Sequence, residues 1–128
     1  MAKVTGSVDE RGRPLVRLEG KTDSVLLVVD TGFNGDLMTS REGARLLGVE
    51  PDIDVTEVEL GDGRTVKVNE GRATIIWLEQ ARRVRVLVSD DWNPAGDAPV
   101  GLLGTQLLVP HLLLIDFAEG TVEIETQA

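Results

Sequence analysis

A chain of 128 residues is long enough to bury a core unaided, and its lack of cysteine excludes a disulfide scaffold, a cysteine nucleophile and thiolate metal sites. Its formal net charge of −9 argues against nucleic acid as a partner, because phosphate would be repelled. The opening MAKVTGSVDERGRP lacks an apolar signal core, and no apolar run approaches the ~20 residues of a membrane helix, so one cytoplasmic domain over residues 1–128 is expected, with no membrane partner.

In chain order, VTGSV (4–8) and PLVRLEG (14–20) flank the polar DERGR and predict a hairpin. SVLLVVD (24–30) is a continuous Val/Leu run, as in a strand covered on both faces, and it ends abruptly in an aspartate. Asp30 either opens a turn through its own side chain or is a carboxylate held at the edge of a core, where its chemistry can be tuned. Asn34-Gly35 predicts a tight turn. A helix follows, with Thr39 and Glu42 as a capping box, Ala44, Leu46 and Leu47 as its apolar side and Gly48 as its stop.

Residues 55–68, VTEVEL-GDG-RTVKV, predict a second hairpin, and GRATIIWLE with RRVRVLVSD (71–90) predicts a further strand pair. The alternating basic residues of ARRVRV (81–86) fit a solvated strand face. Trp77 is expected in the core and Trp92 in a surface loop, DWNPAGDAP. Asp90, Asp91 and Asp97 lack calcium-loop spacing, and the lone His111 has no second imidazole or thiol beside it, so no metal is expected. VGLLGTQLL (100–108) predicts an apolar turn into a short helix, and LLLIDF-AEG-TVEIET a closing hairpin. Short strands with one or two helices predict an all-β (mainly β) fold, a small barrel.

Three features stand in a telling order: an apolar strand ending in Asp30-Thr31-Gly32, a glycine-bearing hairpin some way on, and the apolar turn Leu102-Leu103-Gly104 before a short helix and a last hairpin. Over roughly residues 14–126 this arrangement resembles the retropepsin-like aspartic proteases, and DTGFNG is similar to the small bacterial and archaeal branch with phenylalanine after the triplet. The resemblance implies a barrel amounting to one pepsin-type half, and an endopeptidase in which two carboxylates share one proton and activate a water. One DTG per chain implies a homodimer that brings Asp30 to its symmetry mate.

It further implies that the Thr31 hydroxyl locks two loops across the dimer axis and that Gly32 lets backbone approach the carboxylate. By the same resemblance Leu102, Leu103 and Gly104 pack on the catalytic loop, Gly61, Asp62 and Gly63 form the flap tip, Phe33 and Asn34 line a substrate pocket, and TVEIET helps build the dimer sheet. No cofactor is implied, and a peptide or protein is the implied substrate. Phe33 departs from the small residue found there in many members, and Asp62 either places a charge above the dyad or points to solvent. A module of the same fold that binds peptides without cleaving them is the alternative reading.

Overall fold

The computed structural model describes residues 2–20, 23–59, 62–94, 96 and 98–127, with backbone alone at 52–56, 58 and 66. Among the described residues ten strands and two short helices follow one another as β1 (Lys3–Val8), β2 (Pro14–Glu19), β3 (Ser24–Val29), β4 (Leu37–Ser40), α1 (Arg41–Leu47), β5 (Glu50–Glu59), β6 (Thr65–Trp77), β7 (Gln80–Ser89), β8 (Gly101–Leu103), α2 (Thr105–Leu108), β9 (Leu112–Asp116) and β10 (Thr121–Glu125). The mainly-β expectation holds. No helix among the described residues is long and apolar enough to cross a membrane.

The strands form one sheet in the order β5-β6-β7-β4-β8-β3-β2-β1-β10-β9. It is open, where a closed barrel was expected. The chain places hairpins at both ends of the sheet, β5–β6 and β9–β10, and their outer strands remain edges. Most pairings are antiparallel, but β8 runs parallel to β3 and β4 runs parallel to β7. The short β8 is inserted between β3 and β4. This insertion carries a turn from late in the chain to the end of the strand that delivers Asp30.

Local sequence explains much of the framework. Asp9 closes the first hairpin by accepting from the backbone N–H groups of Arg11 (3.0 Å) and Arg13 (2.9 Å). The core gathers the inward side chains of almost every strand, among them Val16, Leu27, Leu37, Val86, Leu103, Val122 and Ile124, together with Leu107 from α2. Trp77 joins it as expected, and its indole N–H donates to the Leu107 carbonyl at 3.0 Å, so the ring is buried with its polar atom satisfied. A smaller cluster of Met38, Val68 and Leu87 lies apart from the main core, with Phe33 and Leu102 packed against it.

Three local expectations are corrected. The apolar β3 is buried on one face only, through Val25, Leu27 and Val29, while Leu26 and Val28 are half-buried. A sheet covered on one side buries alternate residues, whatever their hydropathy. The helix cap is Ser40 rather than Thr39: the Ser40 hydroxyl accepts from Gly43 N–H at 3.1 Å, whereas Thr39 is the third residue of the buried β4. Glu42 then falls one position too early for a capping box, and pairs with Arg45 instead. Finally, RTVKV and GRATIIW belong to one continuous strand, β6, whose first part pairs with β5 and whose second pairs with β7.

Ser40 is 1% exposed and is the N-cap of α1, the one helix spanning more than one turn among the described residues. Ser40→Ala is expected to lower stability by about 1 kcal/mol, measured by denaturant unfolding.

Candidate active site

Asp30 is the residue immediately after β3, and its position is set by its neighbour in the sheet. Its backbone N–H donates to the Leu103 carbonyl at 2.9 Å, which extends the parallel β3–β8 pairing by one bond. Its side-chain Oδ1 accepts from Gly32 N–H at 2.9 Å, and its carbonyl accepts from Phe33 N–H at 3.2 Å. Both sequence readings of Asp30 therefore apply together: the carboxylate closes a turn, and it stands half-buried at the edge of a core. Thr31 and Gly32 are exposed at the apex of that turn. A Cβ on Gly32 would come within 3.2 Å of Asp30 Oδ1, so a side chain there would crowd the carboxylate.

Residues 33–36 dock onto the segment after β8. Thr105 N–H donates to the Phe33 carbonyl at 2.9 Å and its hydroxyl reaches the same oxygen at 3.3 Å. Gln106 N–H donates to Gly35 at 3.2 Å, and Gly104 N–H to Asp36 at 2.9 Å. Helix α2 has no side-chain cap, so these loop carbonyls take the N–H groups that its first turn would otherwise leave unsatisfied. Gly104 makes the approach possible. A Cβ there would lie 2.2 Å from the Gly35 carbonyl oxygen and 2.7 Å from the Phe33 ring.

Phe33, the residue least explained by the sequence, is the apolar anchor of this loop. Its ring lies against Gly35 and Gly104 and packs on the Met38, Val68 and Leu87 cluster, beside Leu102. One side of it also borders a cleft of about 290 Å³, lined by Gly32, Asn34, Gly35, Glu59, Arg85 and Leu87 as well. Asn34 is exposed there. The ring is thus part of the wall of the cleft while being held by the structure behind it.

The predicted site residues fall into two groups. Asp30, Thr31, Gly32, Phe33 and Asn34 share one loop, and Leu102, Leu103 and Gly104 abut it. The hairpin of β5 and β6 stands across the cleft, contributing Glu59, the last residue of β5 before the turn. At its tip Gly61 lies outside the described residues. Asp62 and Gly63 are exposed and are not among the residues lining the cleft. The Asp62 carboxylate accepts from Arg64 N–H at 3.1 Å and pairs with the Arg64 guanidinium at 2.6 Å. Its charge is therefore answered within the hairpin.

Several residues that the sequence did not single out hold the cleft together. Asp36 Oδ2 accepts from Arg85 N–H at 3.0 Å, tying the end of the Asp30 loop to β7. The Arg85 guanidinium pairs with Glu70 on β6, and Glu70 also pairs with Arg72 at 3.0 Å. Arg85 first, and Arg72 second, hold the Glu70 carboxyl below the ordinary glutamate range, while Glu70 raises Arg85. In sequence these are unremarkable members of a solvated strand face; only the β6–β7 pairing makes them neighbours. Arg82 and Arg83 are exposed, in line with that reading. Among the described residues no group of three or more His, Asp or Glu could hold a metal ion.

Among solved structures, the chain is similar to a retropepsin-like aspartic protease from Rickettsia conorii, known from a crystal structure, with a TM-score of 0.67, 95% of this chain and 89% of that one covered, and 19% sequence identity. The chain has the retropepsin-like fold. No protein-family model and no curated protein matches it. At this identity the likeness is one of architecture, and the retropepsin-like frame is what places an aspartate-bearing loop beside β8 and opposite a hairpin.

Two outcomes are expected from this geometry. Gly104→Ala should cost about 1–3 kcal/mol in denaturant unfolding, because the Gly35 carbonyl has to move aside. Glu70 contributes stability that is present above the unfolded glutamate pKa and lost as pH falls through its lowered folded value. Glu70→Gln should therefore lower the melting temperature at pH 7, and the difference from the parent protein should shrink as pH falls through and below the ordinary glutamate range, as seen in thermal melts across pH.

Proposed function

We propose that the protein is an aspartic endopeptidase in which Asp30 and its copy in a second chain form the catalytic pair. The observation that carries this is the setting of Asp30 beside a cleft: a half-buried carboxylate at the end of a core strand, accepting from Gly32 N–H, on a backbone whose own N–H donates to the Leu103 carbonyl. One chain supplies a single such carboxylate, so the pair requires two chains around a two-fold axis.

The chemistry then follows from two carboxylates sharing one proton. The ionised member takes a proton from a water held between them, and that water attacks the peptide carbonyl. The protonated member donates to the carbonyl oxygen, and the proton taken from water passes to the leaving amine. Thr31, exposed at the apex of the loop, is assigned to bridge the two chains, and Gly32 leaves room for substrate backbone. Leu102, Leu103 and Gly104 hold the loop from behind. The β5–β6 hairpin with Asp62 and Gly63 at its tip acts as the cover, and Phe33 and Asn34 contact the substrate. Because Phe33 is packed on its own loop as a wall, a peptide can lie in the cleft without displacing it.

Asp30→Asn is the test. Cleavage of an unbiased peptide mixture, followed by mass spectrometry, should fall by at least about 10³-fold, with the circular dichroism spectrum unchanged. Cleavage at the parent rate by this variant would refute the proposal.

A further inference from the structure

The cleft beside the Asp30 loop joins apolar wall to charged groups, and those groups differ in what already holds them. Phe33 and Leu87 give it two apolar surfaces, while Arg85 lines it from β7 and Glu59 from β5. The Arg85 guanidinium is taken: it pairs with Glu70, and the nearby Asp36 carboxylate adds a second negative charge. Arg64 and Arg72, in the β5–β6 hairpin, are held in the same way by Asp62 and Glu70. Glu59 is the exception. It is exposed, and its carboxylate makes no hydrogen bond or ion pair among the described residues. In the β5–β6 register Thr65 stands opposite Glu59, whereas Glu57, two residues earlier, stands opposite Lys67. Residues opposite one another share a face of the sheet, so no cation lies directly across from Glu59.

At about 290 Å³ the cleft is at the small end for a ligand pocket, a size that suits one long side chain. A lysine or arginine side chain matches its lining. The methylene stem can lie against Leu87 and Phe33, with the cationic head over the phenyl ring and on the Glu59 carboxylate. An aliphatic side chain leaves the Glu59 charge unused, and an acidic one meets it with like charge. The net charge of −9 acts in the same sense at longer range, drawing cationic peptides in and repelling anionic ones. Asp30 is not itself among the lining residues, and Gly32 is the nearest of them along the chain. The cleft therefore takes a side chain that flanks the peptide bond under attack.

We infer that this cleft is a specificity subsite for a lysine or arginine side chain of the bound peptide, selected by Glu59 and seated on Phe33. The inference rests on the protease reading for its consequence, that the peptide so chosen is the one cleaved. Glu59 contacts the head group of that side chain and takes no part in breaking the bond.

Cleavage of an unbiased peptide mixture, with the residues on both sides of each cut read by mass spectrometry, tests the subsite. At one fixed position near the cut the parent protein should favour Lys or Arg over Leu by about tenfold, and over Asp or Glu by more. Glu59→Gln should abolish that preference, and Glu59→Lys should turn it toward Asp and Glu at the same position. Glu57→Gln removes an equal charge from the same strand outside the cleft, and should leave the preference intact. Cleavage with no basic preference, a preference unchanged in Glu59→Gln, or equal loss in Glu57→Gln overturns the inference.

Binding separates the subsite from the protease reading. Asp30→Asn protein, incubated with the same mixture, should retain peptides enriched in Lys and Arg, and the double variant with Glu59→Lys should retain peptides enriched in Asp and Glu. Enrichment that follows residue 59, with no cleavage by the parent protein, defeats the protease alone. Asp30-dependent cleavage that is indifferent to residue 59 defeats the subsite alone. Retention without charge preference, in a protein that does not cleave, overturns both.

Discussion

The hydrogen bond from Asp30 N–H to the Leu103 carbonyl joins two segments far apart in sequence, and the rest of the site depends on that junction. It continues the parallel pairing of β3 with β8 past the end of the strand, so the aspartate begins its turn from a fixed point. Beyond it, the carbonyls of Phe33, Gly35 and Asp36 receive N–H groups from residues 104–106. Each such bond contributes only about 1 kcal/mol net, yet leaving any one of these groups buried and unpaired costs more than that. The loop therefore has one arrangement that satisfies its backbone. The direction in which Asp30 points follows from that arrangement.

Packing reinforces the same geometry from the other side. Phe33 fills the space above Gly35 and Gly104, and its ring completes a small cluster with Met38, Val68, Leu87 and Leu102. Phe33 is a bulky residue directly after the DTG triplet. Set against two glycines, it is a clamp: the missing Cβ atoms create the slot, and the ring occupies it. The same contacts hold the ring in the wall of the cleft.

Charge is managed separately from packing. The acidic chain keeps carboxylates beside guanidinium groups near the cleft, with Glu70 between Arg85 and Arg72, and Asp62 on Arg64. It places acidic residues along β5 and almost none along β9. Among the described residues the sheet thus ends in one strongly acidic edge strand and one nearly uncharged one.

Much of this was legible in the sequence because it is local. Alternating and continuous apolar runs gave most of the strands, and the order of DTG, hairpin and Leu102-Leu103-Gly104 pointed to the retropepsin-like fold before any coordinates. Local signals failed where a neighbour from elsewhere set the outcome. Thr39 looked like a cap, but as a β4 residue it is taken up by the sheet, and Ser40 caps instead. The barrel expected from strand count is an open sheet, since closure depends on whether the β5–β6 and β9–β10 hairpins at its two ends meet. Arg85, Glu70, Asp36 and Thr105 carried no signal at all, because each matters through a partner brought close only by strand pairing or by the docking of α2. The sequence by itself determined which residue types exist and where turns interrupt apolar runs, since those follow from nearest-neighbour chemistry. Only the tertiary structure decided that β8 enters between β3 and β4, that Phe33 packs inward and that β9 is left at an edge, because these depend on contacts between segments far apart along the chain.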